Sequence, residues 1–230
     1  NYYSVKVKQI AGFDFESFDH DKEDTTFLDR LSKLKKLEIS QNIQFVAEKE
    51  FFSGAHPWNT FIFEGAQGVL LDMDFGFFPH VTRSNTTSRN AIEIISRSMK
   101  EYIGNVEISY VSRCYQTRHG AGPMTYEGHP INLKNNENET NVLHEYQGGF
   151  RRSPLDIDLL NYAVKCDNNF SASITKNIIF TCLDQIDDEK ITCYLKKEEL
   201  KIKPEDLPSL LECTISSGYF SKSDISEYIF

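Results

Sequence analysis

The side chains best suited to chemistry in this chain cluster between residues 63 and 87. Residues 63–72 read FEGAQGVLLD, and residues 79–87 read PHVTRSNTT. Gln67 carries an amide that donates and accepts hydrogen bonds at once, as the edge of a purine requires. The second segment adds short hydroxyl and amide groups suited to phosphate or ribose oxygens, carried by Thr82, Ser84, Asn85 and Thr86. These residue types indicate a purine nucleotide site.

The position of this cluster fits such a ligand. Residues 60–63 are predicted to form a buried strand that stops at the glycine-rich turn, after which a helix is expected to open. An α/β sheet presents backbone N–H groups to anions at such a turn. The turn has no phosphate-binding lysine, however, and an ordinary strand-to-helix connection explains the same pattern equally well.

Apolar spacing predicts alternating helices and strands along the rest of the chain. Helices are expected over residues 26–37, 43–52, 87–102, 155–164 and 222–228. Strands are expected over residues 60–63, 106–115, 177–183, 191–195 and 211–216, with a long loop over 120–140. This alternation predicts an α/β fold with a mostly parallel central sheet and helices on both faces.

Composition narrows the classes of partner. A net charge of -9 disfavours a surface for nucleic acid polymers, and no apolar run reaches the length of a membrane span. The five cysteines form no CxxC pair, so we read them as reduced thiols of a cytoplasmic protein. Asp72 and Asp74 have no histidine at metal-ligand spacing, and we therefore read them as structural.

Four segments of the chain resemble the adenylosuccinate synthetase family. Residues 64–87 (EGAQGVLLDMDFGFFPHVTRSNTT) are similar to its nucleotide-binding segment, and residues 117–123 (TRHGAGP) to its TRxGAGP loop. Residues 181–184 (TCLD) resemble its TKLD base-recognition motif, and residues 215–218 (ISSG) its STG motif. The segments follow the family order, and the resemblance implies a P-loop-NTPase-like synthetase fold.

The resemblance implies a ligase that joins L-aspartate to a purine nucleoside monophosphate. In the family, inosinate becomes adenylosuccinate at the expense of GTP or ATP, with Mg2+ as cofactor. Transfer of the γ-phosphate to the purine O6 makes a good leaving group, which the aspartate amine then displaces. A homodimer is also implied, because family sites borrow an arginine across the subunit interface.

The resemblance also assigns site residues. The purine monophosphate is expected at Gln67, Gly68, Thr82, Asn85, His119 and Gly120, and aspartate and phosphate at Gln147, Gly148, Arg151 and Arg152. The base of the triphosphate is expected at Asp184, Ser216, Ser217 and Gly218. Simpler roles remain open: a turn residue for Gln67, a cap for Thr82, and a surface arginine pair for residues 151 and 152.

The chain departs from the family pattern at two motifs. The arginine loop is short and keeps two arginines, and Cys182 replaces the lysine whose stem covers guanine in GTP-using members. The second change leaves ATP open as the donor. These features bring the chain closer to a compact, phage-type branch whose members add aspartate to deoxyguanylate, forming 2-aminoadenylosuccinate. Inosinate and dGMP are therefore both candidates for the nucleotide that accepts aspartate.

The first residues suggest that the chain is a fragment. It begins at Asn1 without methionine, and nothing before residue 59 resembles the GDEGKG loop that carries the family's catalytic groups. We expect residues 1–58 to be a helical, partly solvated lead-in and residues 59–230 to be the nucleotide-binding part of one synthetase domain. No catalytic residue is then expected in this chain, and a non-catalytic nucleotide-binding homologue is the alternative.

Overall fold

The computed structural model describes residues 19–40, 43–53, 59–99, 104–134, 143, 145, 148–186 and 189–220. The chain divides into two compact units, Asn1–Gly54 and Ala55–Phe230. The helix expected over residues 222–228 lies outside the described residues.

The first unit contains helix α1 (His20–Ile39) and the short helix α2 (Glu48–Ser53). The Asp19 carboxylate caps α1 by accepting a 3.0 Å hydrogen bond from the Lys22 N–H, which would otherwise lack a partner at the helix start. The helix predicted over residues 26–37 is confirmed within α1, whereas the one predicted over 43–52 is reduced to α2. None of the residues of α1 is buried.

A parallel sheet organises the second unit. Strands β1 (Glu107–Arg113), β5 (Thr175–Thr181) and β8 (Ser217–Phe220) lie in the order β1-β5-β8. Tyr110 pairs with Ile178, which pairs in turn with Gly218. A parallel sheet among helices confirms the predicted α/β class.

The described residues of the unit form two smaller sheets as well. Strand β4 (Leu155–Asp156) pairs in parallel with β6 (Ile191–Leu195), and β6 pairs antiparallel with β7 (Glu198–Ile202). Strands β2 (Gln116–His119) and β3 (Phe150–Ser153) form an antiparallel ribbon.

Two helices pack in the second unit, α3 (Arg89–Ser98) and α4 (Ile157–Ser171). The Asp156 carboxylate caps α4 by accepting from the Leu159 N–H at 3.1 Å. The core that these elements enclose is apolar and includes Tyr115, Leu155, Ile157, Ile178, Phe180, Ile191 and Leu207.

The structure corrects the prediction of a buried strand over residues 60–63. This segment is irregular, and Ile62 is 89% exposed. A segment of three apolar residues and a threonine forms a strand only where a sheet edge pairs with it, and none of the described strands pairs with residues 60–63. The helix expected after the glycine turn is likewise a single 3-10 turn, Val69–Leu71, and the next helix begins only at Arg89.

Two other boundaries differ from the prediction. The helix expected from Leu155 begins at Ile157, because Leu155 and Asp156 pair with β6. The strand expected over residues 211–216 is replaced by β8, which starts at Ser217. Gly218 suits this strand because a Cβ there would lie 2.8 Å from Cγ of Pro208.

A buried carboxylate joins α3, α4 and the parallel sheet. Asp167 on α4 is 1% exposed and accepts from the Ser88 N–H at 2.6 Å and the Ser88 hydroxyl at 2.7 Å. It also accepts from the hydroxyls of Tyr110 at 2.7 Å and Ser171 at 2.8 Å. Burial and then the hydrogen bond to Asp167 raise the pKa of the Tyr110 hydroxyl. A buried carboxyl group with four hydrogen-bond donors has its polar atoms well satisfied.

Substitution Asp167→Ala is expected to lower the free energy of unfolding by about 3 kcal/mol or more, because several buried donors lose their acceptor. Urea unfolding followed by circular dichroism measures this loss. The matched control Lys165→Ala, on the exposed side of the same helix, is expected to change it by less than about 0.5 kcal/mol. Equal effects of the two substitutions would contradict the assigned role of Asp167.

Candidate functional site

The segment that carries the predicted nucleotide ligands is organised by Asp72. This carboxylate is 0% exposed and accepts from the Thr86 N–H at 2.5 Å and the Asp74 N–H at 2.8 Å. The Phe75 N–H, at 3.3 Å, and the Thr86 hydroxyl, at 3.3 Å, complete its partners. One side chain therefore fixes both ends of an irregular loop, which agrees with the structural role read from the sequence.

The charge of Asp72 is maintained by these donors. Burial acts to raise the pKa of its carboxyl group, but the hydrogen bonds from Thr86, Asp74 and Phe75 outweigh burial and leave the pKa below its ordinary value of 3.8. Asp72 is thus an anion at neutral pH and holds the loop most strongly in that form.

Gln67 and Gly68 lie at the exposed start of this loop. Gln67 has a φ of 69°, in the left-handed region that non-glycine residues rarely adopt, and its side chain is exposed. The Thr86 hydroxyl donates to the Gly68 carbonyl at 3.1 Å and holds the turn. Backbone strain at an exposed amide is typical of functional sites.

Thr82 and Asn85 are fixed in different ways. The Thr82 N–H donates to the Leu71 carbonyl at 2.7 Å, and its hydroxyl lies 3.4 Å from the Ser84 hydroxyl. The Asn85 amide donates to Asp74 at 3.0 Å. Thr82 thus has its backbone anchored while its half-buried hydroxyl stays beside a second hydroxyl, an arrangement that can receive a phosphate oxygen.

Arg118 connects this loop to the glycine loop after β2. Its guanidinium donates through Nε at 3.0 Å and Nη2 at 2.9 Å to the Ala121 carbonyl, and through Nη2 at 3.3 Å to the His80 carbonyl. Gly122 has a φ of 122°, and a Cβ there would lie 2.1 Å from Nη2 of Arg118. The structure thus brings the loop that carries Thr82 next to residues 120–122.

His119 and Gly120 lie beside this junction. Gly120 has a φ of 88°, and His119 contacts the Phe150 ring edge-on at a centroid distance of 6.5 Å. Nε2 of His119 is buried and has no hydrogen-bond partner in the structure. Both residues lie directly after Arg118 in the chain, and their role as the wall against the ribose stays a prediction.

Arg151 is already paired. Its guanidinium makes a bidentate ion pair with Glu127 and donates from Nη1 to the Gly120 carbonyl at 3.1 Å and the Gly122 carbonyl at 2.9 Å. Hydrogen bonding within the pair raises the pKa of Arg151 and lowers that of Glu127. Arg118 lies opposite Arg151 on the ribbon, and burial and then the charge of Arg151 lower its pKa.

The structure separates the two predicted aspartate-binding arginines. Arg152 follows Arg151 in β3, so its side chain points to the other face of the ribbon, where it is exposed. Gly148 is exposed with a φ of 73°. Gln147, the remaining member of this predicted set, lies outside the described residues.

The four residues predicted to hold the base of the triphosphate do not converge in this structure. Asp184 is exposed in a short turn after the end of β5, whereas Ser217 pairs with Asn177 near its start. The four residue steps of strand between Asn177 and Thr181 alone span roughly 13 Å. Cys182, with a φ of 63°, is 0% exposed, so its thiol packs in the core.

Sequence reasoning missed the roles of two charged residues and one glycine. Arg118, Gly122 and Glu127 hold the loops together, but only the two glycines of the GAGP run signalled an unusual backbone. Within the described ranges, no group of three or more His, Cys, Asp or Glu side chains could hold a metal ion. No helix in those ranges is both long and apolar enough to cross a membrane.

Comparison with known proteins finds relatives that are named adenylosuccinate synthetase. Adenylosuccinate synthetase from Thermoplasma volcanium is 35% identical over 159 residues, covering 63% of this chain and 35% of that protein. The enzyme from Francisella tularensis subsp. novicida is 33% identical over 126 residues, covering 54% of this chain and 29% of that protein. The chain therefore spans about a third of the length of these relatives.

A solved structure is also similar, the fully ligated adenylosuccinate synthetase from Plasmodium falciparum. It is 21% identical with a TM-score of 0.44, over 72% of this chain and 48% of that one. The family model described as adenylosuccinate synthetase matches residues 3–219. Because this match takes in nearly the whole sequence, the chain belongs to the adenylosuccinate synthetase family.

Proposed function

We propose that this chain forms the nucleotide-recognition part of a carbon-nitrogen ligase of purine biosynthesis. The observation that supports this most is the junction made by Arg118, which places the Thr82 loop beside residues 120–122. Two segments that resemble family nucleotide motifs are thereby adjacent in space. The activity is the joining of L-aspartate to a purine nucleoside monophosphate, with inosinate as the first candidate.

The described residues suggest separate roles in binding the purine nucleotide. The exposed amide of Gln67 would read the purine edge, with the Gly68 turn beneath it. The Thr82 hydroxyl would donate to the phosphate, while Asn85 keeps the loop in place through Asp74. His119 and Gly120 would form the wall against the ribose.

Aspartate recognition is assigned mainly to Arg152. Arg151 is occupied by Glu127 and two carbonyl groups, so it holds the glycine loop in shape. Arg152 is exposed on the other face of β3, near Gly148, and a guanidinium there can bind a carboxylate or phosphate in bidentate fashion. We include Gln147 in this group by its position in the sequence alone.

The chemistry requires activation and then displacement. The γ-phosphate of a triphosphate passes to O6 of the purine, and the aspartate amine then attacks C6 and expels inorganic phosphate. Positioning supplies much of the catalysis in such phosphoryl transfer. The described residues of this chain bind and orient the acceptor, whereas proton transfer at O6 and the amine has no candidate group among them.

A magnesium ion is implied by the family, but the described residues do not form a site for it. Asp72 is saturated by N–H and O–H donors, and Asp74 is engaged by Asn85 and lies 3.8 Å from Arg89. No step is therefore assigned to magnesium on this chain. GTP and ATP both stand as donors, because Asp184 is an exposed acceptor while Cys182 is too buried to cover a base.

Two alternatives follow from particular residues. The short arginine loop resembles that of the compact, phage-type branch, whose members use deoxyguanylate, so dGMP competes with inosinate in the proposal. The commitment of Arg151 to Glu127 fits a non-catalytic homologue that binds nucleotide without aspartate. The proposal further includes a homodimer, no nucleic acid polymer or membrane as partner, and the cytoplasm as location; the five cysteines are free thiols.

Removal of the predicted base and phosphate contacts tests the acceptor site. Gln67→Ala and Thr82→Val are each expected to raise the Kd for inosinate or dGMP about tenfold, the effect of one hydrogen bond lost. Isothermal titration calorimetry measures the Kd of each variant for both nucleotides. The control is Gln44→Ala, which changes an exposed glutamine of the first unit. Unchanged affinity in Gln67→Ala and Thr82→Val would reject this site.

Titration of aspartate into the nucleotide-loaded chain separates a ligase part from a binding homologue. We expect the chain to bind aspartate. Arg152→Lys is expected to preserve this binding at reduced affinity, and Arg152→Ala is expected to weaken it. Measurable aspartate-dependent phosphate release by this polypeptide alone would contradict our assignment of the catalytic groups to a region outside it.

The loop carboxylate gives a pH-dependent prediction. Asp72→Asn is expected to destabilise the chain by about 2 kcal/mol at neutral pH, because the Thr86 and Asp74 N–H groups lose a charged acceptor. Since the pKa of Asp72 is lowered, its contribution is complete above 3.8 and is lost as the pH falls through the lowered value. Urea unfolding across this range tests the claim, with Asp206→Asn, at an exposed position of the second unit, as control. A constant difference at all pH values would refute it.

A further inference from the structure

Tyr194 of β6 joins the loop over residues 120–129 to the sheet of β4, β6 and β7. Its side chain is 6% exposed, and its ring stacks on the Tyr126 ring with centroids 3.9 Å apart and an angle of 13° between the planes. The His129 ring meets the Tyr194 ring edge-on at a centroid distance of 5.3 Å. Two residues of an irregular loop are therefore packed on one side chain of a strand.

The Tyr194 hydroxyl adds hydrogen bonds to this packing. It donates at 2.8 Å to Oε2 of Glu199, the residue directly opposite on β7, and it lies 2.8 Å from Nδ1 of His129. A hydroxyl has a single proton, so Nδ1 of His129 is the donor in the second hydrogen bond. The hydrogen bond to Glu199 and then burial raise the pKa of Tyr194, and its hydroxyl therefore keeps its proton at neutral pH.

The backbone at Tyr126 depends on this support. Tyr126 has a φ of 54°, in the left-handed region that is unfavourable for an aromatic residue. Such a conformation persists where the surrounding structure holds it. Here the Tyr194 ring holds the side chain, and the His129 N–H donates to the Tyr126 carbonyl at 3.1 Å. Loss of the Tyr194 ring would allow the loop to relax at this residue.

The residue that follows Tyr126 is Glu127, whose direction is set by the backbone before it. Glu127 makes the ion pair with Arg151, and Arg151 donates to the carbonyl groups of Gly120 and Gly122. The aromatic stack on β6 is thereby connected, contact by contact, to the glycine loop beside the proposed phosphate site.

We infer that Tyr194 is a positioning residue for the proposed nucleotide site and acts through Tyr126 and Glu127. Its ring holds Tyr126 in the left-handed region, which directs Glu127 to Arg151, and the ion pair then fixes the glycine loop. Tyr194 itself is assigned no contact with the nucleotide. The inference rests on the proposed function, because it gives the loop a ligand to receive. A purely structural cluster would stabilise the fold without changing nucleotide affinity.

Hydrogen exchange in the nucleotide-free chain tests whether Tyr194 holds the loop. Tyr194→Leu removes the ring and the hydroxyl, and it is expected to speed amide exchange in residues 120–129 about tenfold. Tyr194→Phe keeps the stack but loses both hydrogen bonds, and an increase of about threefold is expected. The matched control Leu200→Ala, on β7 of the same sheet, removes core packing and is expected to leave exchange in this loop unchanged. An equal increase in the control would overturn the inference, because the loop would then respond to any loss of stability.

Nucleotide affinity tests the positioning role itself. Isothermal titration calorimetry measures the Kd for inosinate and dGMP at a temperature where every variant is folded. Tyr194→Leu is expected to raise the Kd about tenfold, whereas Tyr194→Phe retains most of the affinity and Leu200→Ala leaves the Kd unchanged. Faster exchange in Tyr194→Leu with an unchanged Kd would contradict the inference, since the cluster would then serve the fold alone.

A double-mutant cycle tests the route through Glu127. Glu127→Gln weakens the ion pair with Arg151 and is expected to raise the Kd as Tyr194→Leu does. Because both changes act on the same loop, the double variant is expected to bind within about twofold of the weaker single variant. Fully additive losses would show that Tyr194 acts by another route, against the inference.

Failure of the proposed function and failure of this inference give different results. A starting chain that binds neither nucleotide would reject the proposed function, while the exchange rates would still decide whether Tyr194 holds the loop. Unchanged exchange in Tyr194→Leu would overturn the inference whether or not nucleotide binds.

Discussion

Backbone N–H groups outside helices and strands need acceptors, and in this protein buried carboxylates supply them. The segment from Gly68 to Ser88 contains only one short 3-10 turn, so its amides cannot be satisfied by regular structure. Asp72 accepts from the amides inside this loop, and Asp167 accepts from Ser88 at its end. The shape of the candidate cradle depends on these two carboxylates, and Asp167 also ties it to the parallel sheet through Tyr110.

Electrostatics within the site differ from those of the whole chain. The net charge is -9, yet two guanidinium groups, Arg118 and Arg151, lie opposite each other on the β2-β3 ribbon. Glu127 balances one of them, while Arg118 is held by carbonyl groups alone. An acidic protein can therefore hold a local excess of positive charge beside the loop assigned to a phosphate, because short-range contacts outweigh the distant field.

The sequence was a good guide where periodicity determines structure. Strand β6 matches its predicted bounds, and β5 lies within two residues of its own, because buried apolar runs leave few alternatives. Strand β1, which alternates exposed and half-buried residues, also lies within two residues of its predicted bounds. Residues 60–63 failed as a strand because pairing depends on a distant edge that three apolar residues and a threonine do not specify. In the site, Gln67 and Thr82 were predicted from side-chain chemistry and family resemblance. Arg118 was not, because its contact with the His80 carbonyl joins residues 38 positions apart.

The contact between Arg118 and Gly122 also constrains how this protein can change over evolutionary time. A Cβ at position 122 would overlap the Arg118 guanidinium, and the positive φ of 122° would strain any L side chain there whatever the space around it. A substitution at 122 would therefore displace Arg118 from the Ala121 and His80 carbonyls and strain the loop at the same time. Shortening Arg118 removes the overlap but leaves the backbone strain. Glycine at position 122 is therefore favoured whichever residue stands at position 118.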